Sequence, residues 1–391
     1  MEFRDSPEEA SFRVEVREFI RENLPGQYTP PPFPELVEDR SDFIMHWRAA
    51  LSSRGWIAPH WPKEYGGAGL SVSEQFVFNE EMAHARAPGV GGIGLNMIGP
   101  IIIRYGTDEQ KSQHLPGVTS GQTQWCQGYS EPGSGSDLAS LQTRAVRDGD
   151  DYVINGQKIW TSGAHRADWM FLLTRTDPDA PKHRGISMFL LDMKTPGITI
   201  SPLVTLTGDH VFNQEYFDDV RVPASNMIGE ENRGWYIGAA LLDFERSNIA
   251  SSIALRNQVA DLVKFAGDWA NQIDRPVSAE MKLELADRAL DAEIARLISY
   301  RVVSIQKREG IPNYEASMNK LFRSEAGQRV ARTSIRLVGM YGGLYRDCLQ
   351  APREGRFAHG YMASLAGTIA AGSSEINRNV IATRGLGLPR S

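Results

Sequence analysis

The order of hydrophobic periodicities constrains the fold of this chain more than any other feature. In the first third, apolar residues such as Phe12, Val16 and Ile20 recur at helical spacing after a capping box that begins at Ser6. The middle reads as short strands separated by Gly, Pro and Asp, and the helical period returns after Gly234. Helices, strands and helices segregated in this way predict an α+β fold and argue against a doubly wound parallel sheet.

Three domains are expected from this order. We predict an N-terminal α-helical domain over residues 1–123, a central antiparallel β-barrel or sandwich over residues 124–233, and a C-terminal helical bundle over residues 234–391.

Two local patterns give sharper predictions inside these domains. Asn155-Gly156 lies between short apolar runs and predicts a β-hairpin. Ser278 is expected to cap a long helix, whose apolar stripe comprises Met281, Leu285, Ala289, Leu290, Ile294, Leu297 and Ile298.

Composition excludes several classes of function. The 391 residues carry a net charge of −6 and no basic run, so no nucleic-acid partner is expected. No apolar stretch reaches the roughly 18 residues of a membrane span, and the charged N-terminus lacks a signal-peptide pattern. Cys126 and Cys348 are too far apart for a metal motif or a disulfide framework, which favours a cytoplasmic location. The sequence contains no HExxH, GxGxxG after a strand or P-loop, so we expect no catalytic metal and no nicotinamide site.

Two polar segments flank the start of the strand region. Residues 127–137 are rich in Gly and Ser, so their backbone can approach a ligand closely and their hydroxyls can donate hydrogen bonds. Residues 158–163 place Trp160 two positions before Ser162, on one face of a strand, where the pair could stack on and hydrogen-bond to a flat heteroaromatic ring. Taken singly, each segment also fits a plain turn or a core tryptophan beside a solvated serine.

Taken together, the two segments resemble the acyl-CoA dehydrogenase family. That family pairs a [Thr/Ser]-Glu-Pro-Gly-x-Gly-Ser-Asp segment with a Lys-x-Trp-x-[Thr/Ser] segment, and Ser130–Asp137 and Lys158–Ser162 match both. Further similar segments are Trp61–Gly69, Tyr105–Lys111 with Leu115-Pro116, and Phe217–Pro223. The resemblance covers essentially the whole chain and implies a C-terminal four-helix bundle and a tetramer.

The resemblance also implies an FAD site and an acyl-CoA site. Tyr129, Ser130, Trp160 and Ser162 would contact the flavin, the serines through hydrogen bonds and the tryptophan by stacking. Ser136 would contact the pantetheine arm. Other FAD contacts would come from Ser373 and Glu375, and from Arg336 and Gly339, which partly match a Gln-x-x-Gly-Gly-x-Gly run that reaches the dinucleotide of a neighbouring subunit.

The catalytic base is expected in an unusual place. The most familiar family base is a Glu at the position of Ala371, and alanine cannot accept a proton. Asp243-Phe244-Glu245-Arg246 instead resembles the run that carries the base in isovaleryl-CoA, long-chain and actinobacterial steroid-side-chain enzymes. We therefore expect Glu245 to be the base, with Arg246 in the substrate site and the backbone N–H of Ala371 as an oxyanion donor.

These features predict FAD-dependent α,β-dehydrogenation of an acyl-CoA to the trans-2-enoyl-CoA, with electron-transfer flavoprotein as the acceptor. Small side chains at Ala370 and Ala371 favour a bulky, branched or cyclic acyl group. The family's pyrophosphate-binding Arg-x-x-Phe-Gly run is missing around residues 264–269, so both a homotetramer and a heterotetramer stay open. The alternatives are a flavin-dependent monooxygenase or oxidase on the same fold, and an FAD-poor subunit of a heteromer.

Overall fold

The computed structural model describes residues 4–26, 28, 42–89, 91–244, 249–308, 310, 312–346 and 348–389. Its N-terminal third is helical, as the sequence predicts. The helices are α1 (Pro7–Asn23), α2 (Asp42–Ser53), α3 (Val72–His84), α4 (Gly99–Tyr105) and α5 (Asp108–Ser120). Complete capping boxes begin α1 at Ser6, α3 at Ser71 and α5 at Thr107, so the side chains that stop each helix from fraying are those that the sequence shows.

A β-sheet occupies the middle of the chain. Its strands are β1 (Trp125–Gly128), β2 (Arg144–Asp148), β3 (Asp151–Ser162), β4 (Trp169–Arg175), β5 (Ile186–Asp192), β6 (Ile198–Val204), β7 (His210–Pro223) and β8 (Met227–Ile228). Within the described residues they form one sheet in the order β6-β7-β3-β2-β4-β5-β8, with β1 beside β4. The sheet is mostly antiparallel, but β1 and β2 pair with β4 in parallel, which corrects the purely antiparallel prediction.

The predicted hairpin at Asn155-Gly156 is wrong. Both residues lie inside the continuous strand β3, where the pairing with β7 shifts register between Ile154 and Gly156. Gly156 has φ +147°, and a Cβ there would lie 2.7 Å from Thr143 Cα, so the close neighbour requires a glycine at this position. The extra residue of the bulge lies on β7, where Asp218 and Asp219 stand opposite Asn155. The hairpin turn lies earlier, between Asp148 and Asp151.

The C-terminal part is helical. Its elements are α6 (Gly234–Phe244), α7 (Ile249–Gln272), α8 (Ala279–Gln306), α9 (Tyr314–Val338), α10 (Arg356–Ser364) and α11 (Ser374–Val380). Side chains of α7, α8 and α9 share a core that includes Leu255, Val259, Leu262, Leu285, Ala292, Ala295, Ala326 and Val330. Among the helices formed by the described residues, none is both long and apolar enough to cross a membrane.

The chain forms two compact units. One comprises residues 1–47, 70–89 and 246–391, so α1 and α3 belong with the C-terminal helices; the other comprises residues 48–69 and 90–245 and contains the sheet. We refer to them as the helical unit and the sheet unit. The three domain boundaries drawn from the sequence stay a prediction.

Candidate active site

In the sheet unit, the two polar segments lie side by side. The N–H of Ile159 donates to the carbonyl of Ser130 at 2.9 Å. The Lys158 ammonium donates to the carbonyl of Tyr129 and to Glu131 Oε1, each at 2.9 Å. Three bonds therefore join the loop after β1 to strand β3, and they bring together residues that are about 30 positions apart in the sequence.

Trp160 occupies an irregular position in β3. The pairing with β7 passes from Ile159 to Thr161, so Trp160 is an extra, bulged residue, with φ +64°. This bulge corrects the simple alternation by which Trp160 and Ser162 were expected to share one face. The indole is 59% exposed and meets the Phe212 ring edge-on, with centroids 6.0 Å apart. A large aromatic ring is thus held outside the core, where it can stack on a ligand.

Two serine hydroxyls accompany the exposed indole of Trp160. Ser130 and Ser162 are half-buried, and neither hydroxyl makes a hydrogen bond to another described residue. Because Ile159 is bonded to Ser130, the loop serine lies next to the strand that carries the indole. An exposed aromatic ring with unengaged hydroxyls beside it fits the flat, hydrogen-bonding ring system of a flavin.

Ser136 lies on a tight turn next to these residues. Glu131 and Ser134 exchange two backbone hydrogen bonds of 3.0 Å, which fold the Pro132-Gly133 turn back on itself. Ser134 is buried and bonds to the carbonyl of Asp137 at 3.0 Å, whereas Ser136 is exposed. The turn thus presents Ser136 to solvent, where it can contact a ligand.

Sequence reasoning missed the buried charges behind this surface. Lys158 is fully buried, and burial lowers its pKa to about 8 against the pull of Glu131. Burial opposes ionisation of Glu131, but Lys158 and backbone N–H groups of Gln142 and Thr143 outweigh it and lower its pKa. The available signal was the alternation of β3, which places Lys158 on the same face as the apolar residues Tyr152 and Ile154.

Glu215 is a second buried carboxyl in this region. It lies on β7 opposite Lys158, and Thr161 Oγ1 donates to its Oε2 at 2.6 Å. Burial raises the pKa of Glu215 to about 7, although the Thr161 hydrogen bond acts in the other direction. Its Oε1 has no hydrogen-bond partner among the described residues.

In the helical unit, residues 370–375 form the turn that leads into α11. Ala371 has φ +52°, a left-handed conformation that alanine rarely adopts, and its N–H makes no hydrogen bond to another described residue. The carbonyl of the next residue, Gly372, accepts from Lys320 and from Asn377. The turn is thus anchored on one side while the N–H of Ala371 stays available as a donor.

Ser373 and Glu375 follow in the same turn. Ser373 is the N-cap of α11, and its hydroxyl accepts from the N–H of Ile376 at 3.3 Å and donates to the Glu375 carboxylate. Glu375 is exposed, and its own backbone N–H and Ser373 lower its pKa.

Arg336 and Gly339 lie at the end of α9. Arg336 pairs with Glu280 at 2.9 Å and with Glu284 at 2.8 Å. Gly339 ends the helix with φ +59°, a conformation that favours glycine. Two carboxylates therefore already neutralise the only charge that this segment was predicted to offer a dinucleotide.

The region of the missing Arg-x-x-Phe-Gly run is aromatic. Phe265 stacks on Trp269 with ring centroids 5.8 Å apart and meets Phe357 edge-on at 4.9 Å. Trp269 in turn meets Tyr341 edge-on at 5.4 Å. Packed rings thus occupy this end of α7, and the guanidinium of Arg353 lies 6.0 Å from the centroid of the Phe265 ring.

Glu245 and Arg246 lie outside the described residues, directly after the last described residue of α6, Phe244. The structure brings Tyr129, Ser130, Trp160 and Ser162 together in the sheet unit. Arg336, Gly339, Ala371, Ser373 and Glu375 all belong to the helical unit.

The helix–sheet–helix order and the aromatic platform with its hydroxyls define a flavin-dependent oxidoreductase. Three family profiles match the chain in succession: the acyl-CoA dehydrogenase N-terminal domain over residues 6–122, the middle domain over residues 126–220 and the C-terminal domain over residues 232–386. The chain therefore belongs to the acyl-CoA dehydrogenase family. It is an oxidoreductase that uses a flavin and acts on an acyl-CoA.

Similar proteins agree over the full length. The acyl-CoA dehydrogenase IpdE1 of Mycobacterium tuberculosis is 36% identical and aligns over 97% of each chain. The solved structure described as the Tcur3481-Tcur3483 steroid acyl-CoA dehydrogenase superposes with a TM-score of 0.85 at 34% identity and covers both chains fully. The ChsE4-ChsE5 complex from M. tuberculosis gives a TM-score of 0.80 at 35% identity, again over both full chains.

Proposed function

We propose that this enzyme binds FAD and converts an acyl-CoA into its trans-2-enoyl-CoA, with Glu245 as the catalytic base. The observation that carries the proposal is the exposed, bulged Trp160 beside Ser130, on a loop bonded to the same strand. Tyr129 and Ser162 complete this flavin contact, and Ser136 on the neighbouring turn contacts the pantetheine arm of the substrate.

The residues divide the chemistry between them. Glu245 takes the proton from the carbon next to the thioester carbonyl, and the N–H of Ala371 donates to the carbonyl oxygen as negative charge develops there. Arg246 contacts the substrate. Bound FAD supplies the acceptor for the hydride that leaves the β-carbon. A base at Glu245 and a backbone donor at Ala371 make the alanine at the familiar base position compatible with catalysis.

The acyl group is expected to be bulky, branched or cyclic. Ala370 and Ala371 remove side-chain volume where the family usually carries a Glu. One structural relative, the Tcur3481-Tcur3483 enzyme, is described as a steroid acyl-CoA dehydrogenase. Electron-transfer flavoprotein is the proposed acceptor. The cytoplasm stays a prediction from the sequence.

The test compares wild type with Glu245→Gln. Both proteins are purified, their flavin spectra are recorded, and each is mixed anaerobically with straight-chain, branched and steroid-type acyl-CoAs. Wild type is expected to lose its flavin absorbance with a bulky class. The variant should bind FAD but bleach about 10²- to 10⁴-fold more slowly, because it lacks the base.

Glu230→Gln, a change at an exposed residue shortly before α6, is the matched control and should bleach like wild type. Equal bleaching rates for wild type and Glu245→Gln would remove Glu245 from the mechanism. Bleaching by short linear acyl-CoAs alone would reject the bulky substrate. Rapid reaction of the reduced flavin with oxygen would favour the monooxygenase or oxidase alternative.

A second candidate function is that of an FAD-poor subunit in a heterotetramer. Its support is the neutralisation of Arg336 by Glu280 and Glu284, together with the uncharged aromatic contacts of Trp269. The ChsE4-ChsE5 relative is a complex of two different chains. Substoichiometric FAD in the chain alone, restored by co-expression with a related subunit, would support this candidate; one FAD per chain in a homotetramer would reject it.

A further inference from the structure

Glu215 is a buried carboxyl that the reaction described above does not use. It is fully buried on β7, and its cross-strand neighbour on β3 is Lys158. The lysine nevertheless bonds to Glu131 and to the carbonyl of Tyr129. One ammonium group therefore stands beside two carboxyls and forms its ion pair with only one of them.

The remaining surroundings of Glu215 cannot neutralise a second negative charge. Cys126 on β1 lies near it, and burial raises the pKa of that thiol well above its ordinary value, with Glu215 adding to the shift. Arg175 on β4 interacts with Lys158 and donates instead to the carbonyl of Ala139 at 2.6 Å. An uncompensated carboxylate in such a place is costly, so Glu215 keeps its proton while Lys158 stays with Glu131.

Loss of that proton changes the competition for Lys158. An ionised Glu215 attracts the ammonium across the β3–β7 pair, away from Glu131 and from the carbonyl of Tyr129. Those two residues flank Ser130 in the chain. Lys158 therefore holds the loop that carries Ser130, the serine proposed to bind the flavin. An ionised Glu215 would draw Lys158 away from that loop.

We propose that Glu215 is a positioning residue for the flavin, which keeps Lys158 on the Ser130 loop only while Glu215 carries a proton. The inference rests on the proposed FAD site and adds a proton-linked control to it. Thr161 connects the same carboxyl to the strand: its hydroxyl donates to Glu215, and its carbonyl accepts from Asn213 at 3.1 Å. Trp160 is thus fixed between Ile159, which is bonded to the loop, and Thr161, which is bonded to Glu215.

The experiment follows FAD release as a function of pH. Holoenzyme of wild type, Glu215→Gln and Asp218→Asn is diluted in buffers spanning neutrality, and free FAD is measured by its fluorescence. The Kd of wild type is expected to rise with pH above neutrality, by at most about tenfold per unit because one proton is involved. Glu215→Gln should bind FAD with no rise between about pH 6 and 7.5, since its amide mimics the protonated acid, and any later rise should begin only near pH 8, where Lys158 loses its proton.

Asp218 is an exposed carboxylate on the same strand, so Asp218→Asn should retain the wild-type profile. A flat wild-type profile with FAD bound, or an unchanged slope in Glu215→Gln, would overturn the positioning role and leave the FAD site standing. A wild-type chain that binds no FAD would overturn both. Infrared spectra at neutral pH give an independent readout: a protonated carboxyl band present in wild type and missing from Glu215→Gln supports the proposal, and its absence from wild type refutes it.

Discussion

At the scale of single residues, the site is marked by side chains in unfavourable places. Trp160 is a large indole that is both exposed and in a left-handed backbone conformation, although folding favours neither. Backbone outliers of this kind persist where surrounding bonds hold them, and they concentrate at functional sites. In this chain the hydrogen bonds of the two neighbouring residues hold Trp160 in place: Ile159 bonds to Ser130, and Thr161 bonds to Glu215.

Trp160→Ala is expected to separate binding from stability. Since most of the indole is exposed, its removal should change the free energy of unfolding by no more than about 0.5 kcal/mol. The loss of stacking should weaken FAD binding by about threefold to tenfold. FAD titration and thermal unfolding measure the two effects. Tyr216→Ala, which removes a 42% exposed ring from β7, is the control and should leave FAD affinity unchanged.

Ala371 gives a prediction of the opposite kind, because its backbone is strained by its own side chain. At φ +52° the backbone conformation has a lower energy for glycine than for alanine. Ala371→Gly should therefore raise the free energy of unfolding by up to about 1 kcal/mol. Ala370, one residue earlier, has no positive φ, and Ala370→Gly should be neutral or destabilising. Denaturant unfolding of the two variants checks this, and equal shifts for both would show that strain at Ala371 is not relieved.

At the scale of elements, helix starts were predictable and strand irregularities were not. Ser6, Ser71 and Thr107 each begin a helix with the capping box that the sequence shows, because a cap depends only on residues within one turn. Asn155-Gly156 has the local pattern of a hairpin but lies inside β3, opposite a bulge of β7. The long-range pairing of β3 with β7 keeps these residues in a continuous strand, and a local sequence pattern gives no information about that pairing.

The attachment of α1 to α3 depends on one buried guanidinium. Arg13 bonds to Asp5, Glu80 and Glu81 at 2.6–2.9 Å, and its side chain is only 14% exposed. Arg13→Ala would remove charge-assisted hydrogen bonds but would leave Glu81 paired with Arg17 and Glu80 bonded to Tyr300, so we expect a loss of about 2–3 kcal/mol in the free energy of unfolding.

Arg17→Ala is the matched control for that element. Arg17 also pairs with Glu81, at 2.7 Å, but its side chain is 61% exposed, and a pair of that kind contributes about 1 kcal/mol or less. Urea unfolding of both variants gives the comparison. A cost at Arg13 no larger than that at Arg17 would contradict the buried ion network.

The helix predicted after Ser278 is confirmed as α8, but its apolar stripe is buried only in part. Leu285 is buried, but Leu290, Ile294 and Leu297 are 62%, 43% and 40% exposed, as is Leu283 at 70%. The helical period identifies an apolar face without showing what covers it. Exposed leucines in a row on one helix are typical of a subunit interface, so we propose that this face of α8 contacts another chain in the tetramer.

Leu290→Glu tests that assignment. The substitution should leave the fold of the single chain intact, because the side chain is exposed, and should shift the protein to smaller species by placing a charge in an apolar interface. Light scattering after size exclusion measures the shift. Val146→Glu changes an equally exposed side chain on β2, at 58%, and should leave the mass unchanged. A wild-type mass for Leu290→Glu would exclude this face as an interface.

At the scale of the whole molecule, the sequence predicted the fold class and the surface residues of the candidate site. It did not predict the buried charged residues that hold those surface residues in place. Ser130, Trp160 and Ser162 stand out because their motifs are contiguous, and the structure joins them. Glu131, Lys158 and Glu215 read as ordinary charged residues until the sheet buries them. Their role follows from contacts between residues 27 positions apart, Glu131 and Lys158, and 57 positions apart, Lys158 and Glu215, and periodicity carries no information about such contacts.

This buried proton also has a consequence for the stability of the entire chain. In the folded protein burial raises the pKa of Glu215 to about 7, whereas an unfolded glutamate loses its proton near pH 4.3. Between those values the folded state binds one proton more than the unfolded state. The free energy of unfolding contributed by Glu215 is therefore fully present below about pH 4 and is lost as pH rises through 7, by about 4 kcal/mol in total.

Glu215→Gln removes that dependence because an amide does not titrate. Wild type minus variant isolates Glu215 from the other ionisable groups, including Lys158, whose lowered pKa makes stability depend on pH mainly above about pH 8. Urea unfolding from pH 5 to 7 should therefore show the stability of wild type falling relative to that of Glu215→Gln, by roughly 1 kcal/mol per pH unit. Parallel curves would mean that Glu215 is ionised in the folded chain. A second charge would then lie beside Lys158, and the ammonium could not remain bonded to Glu131 alone.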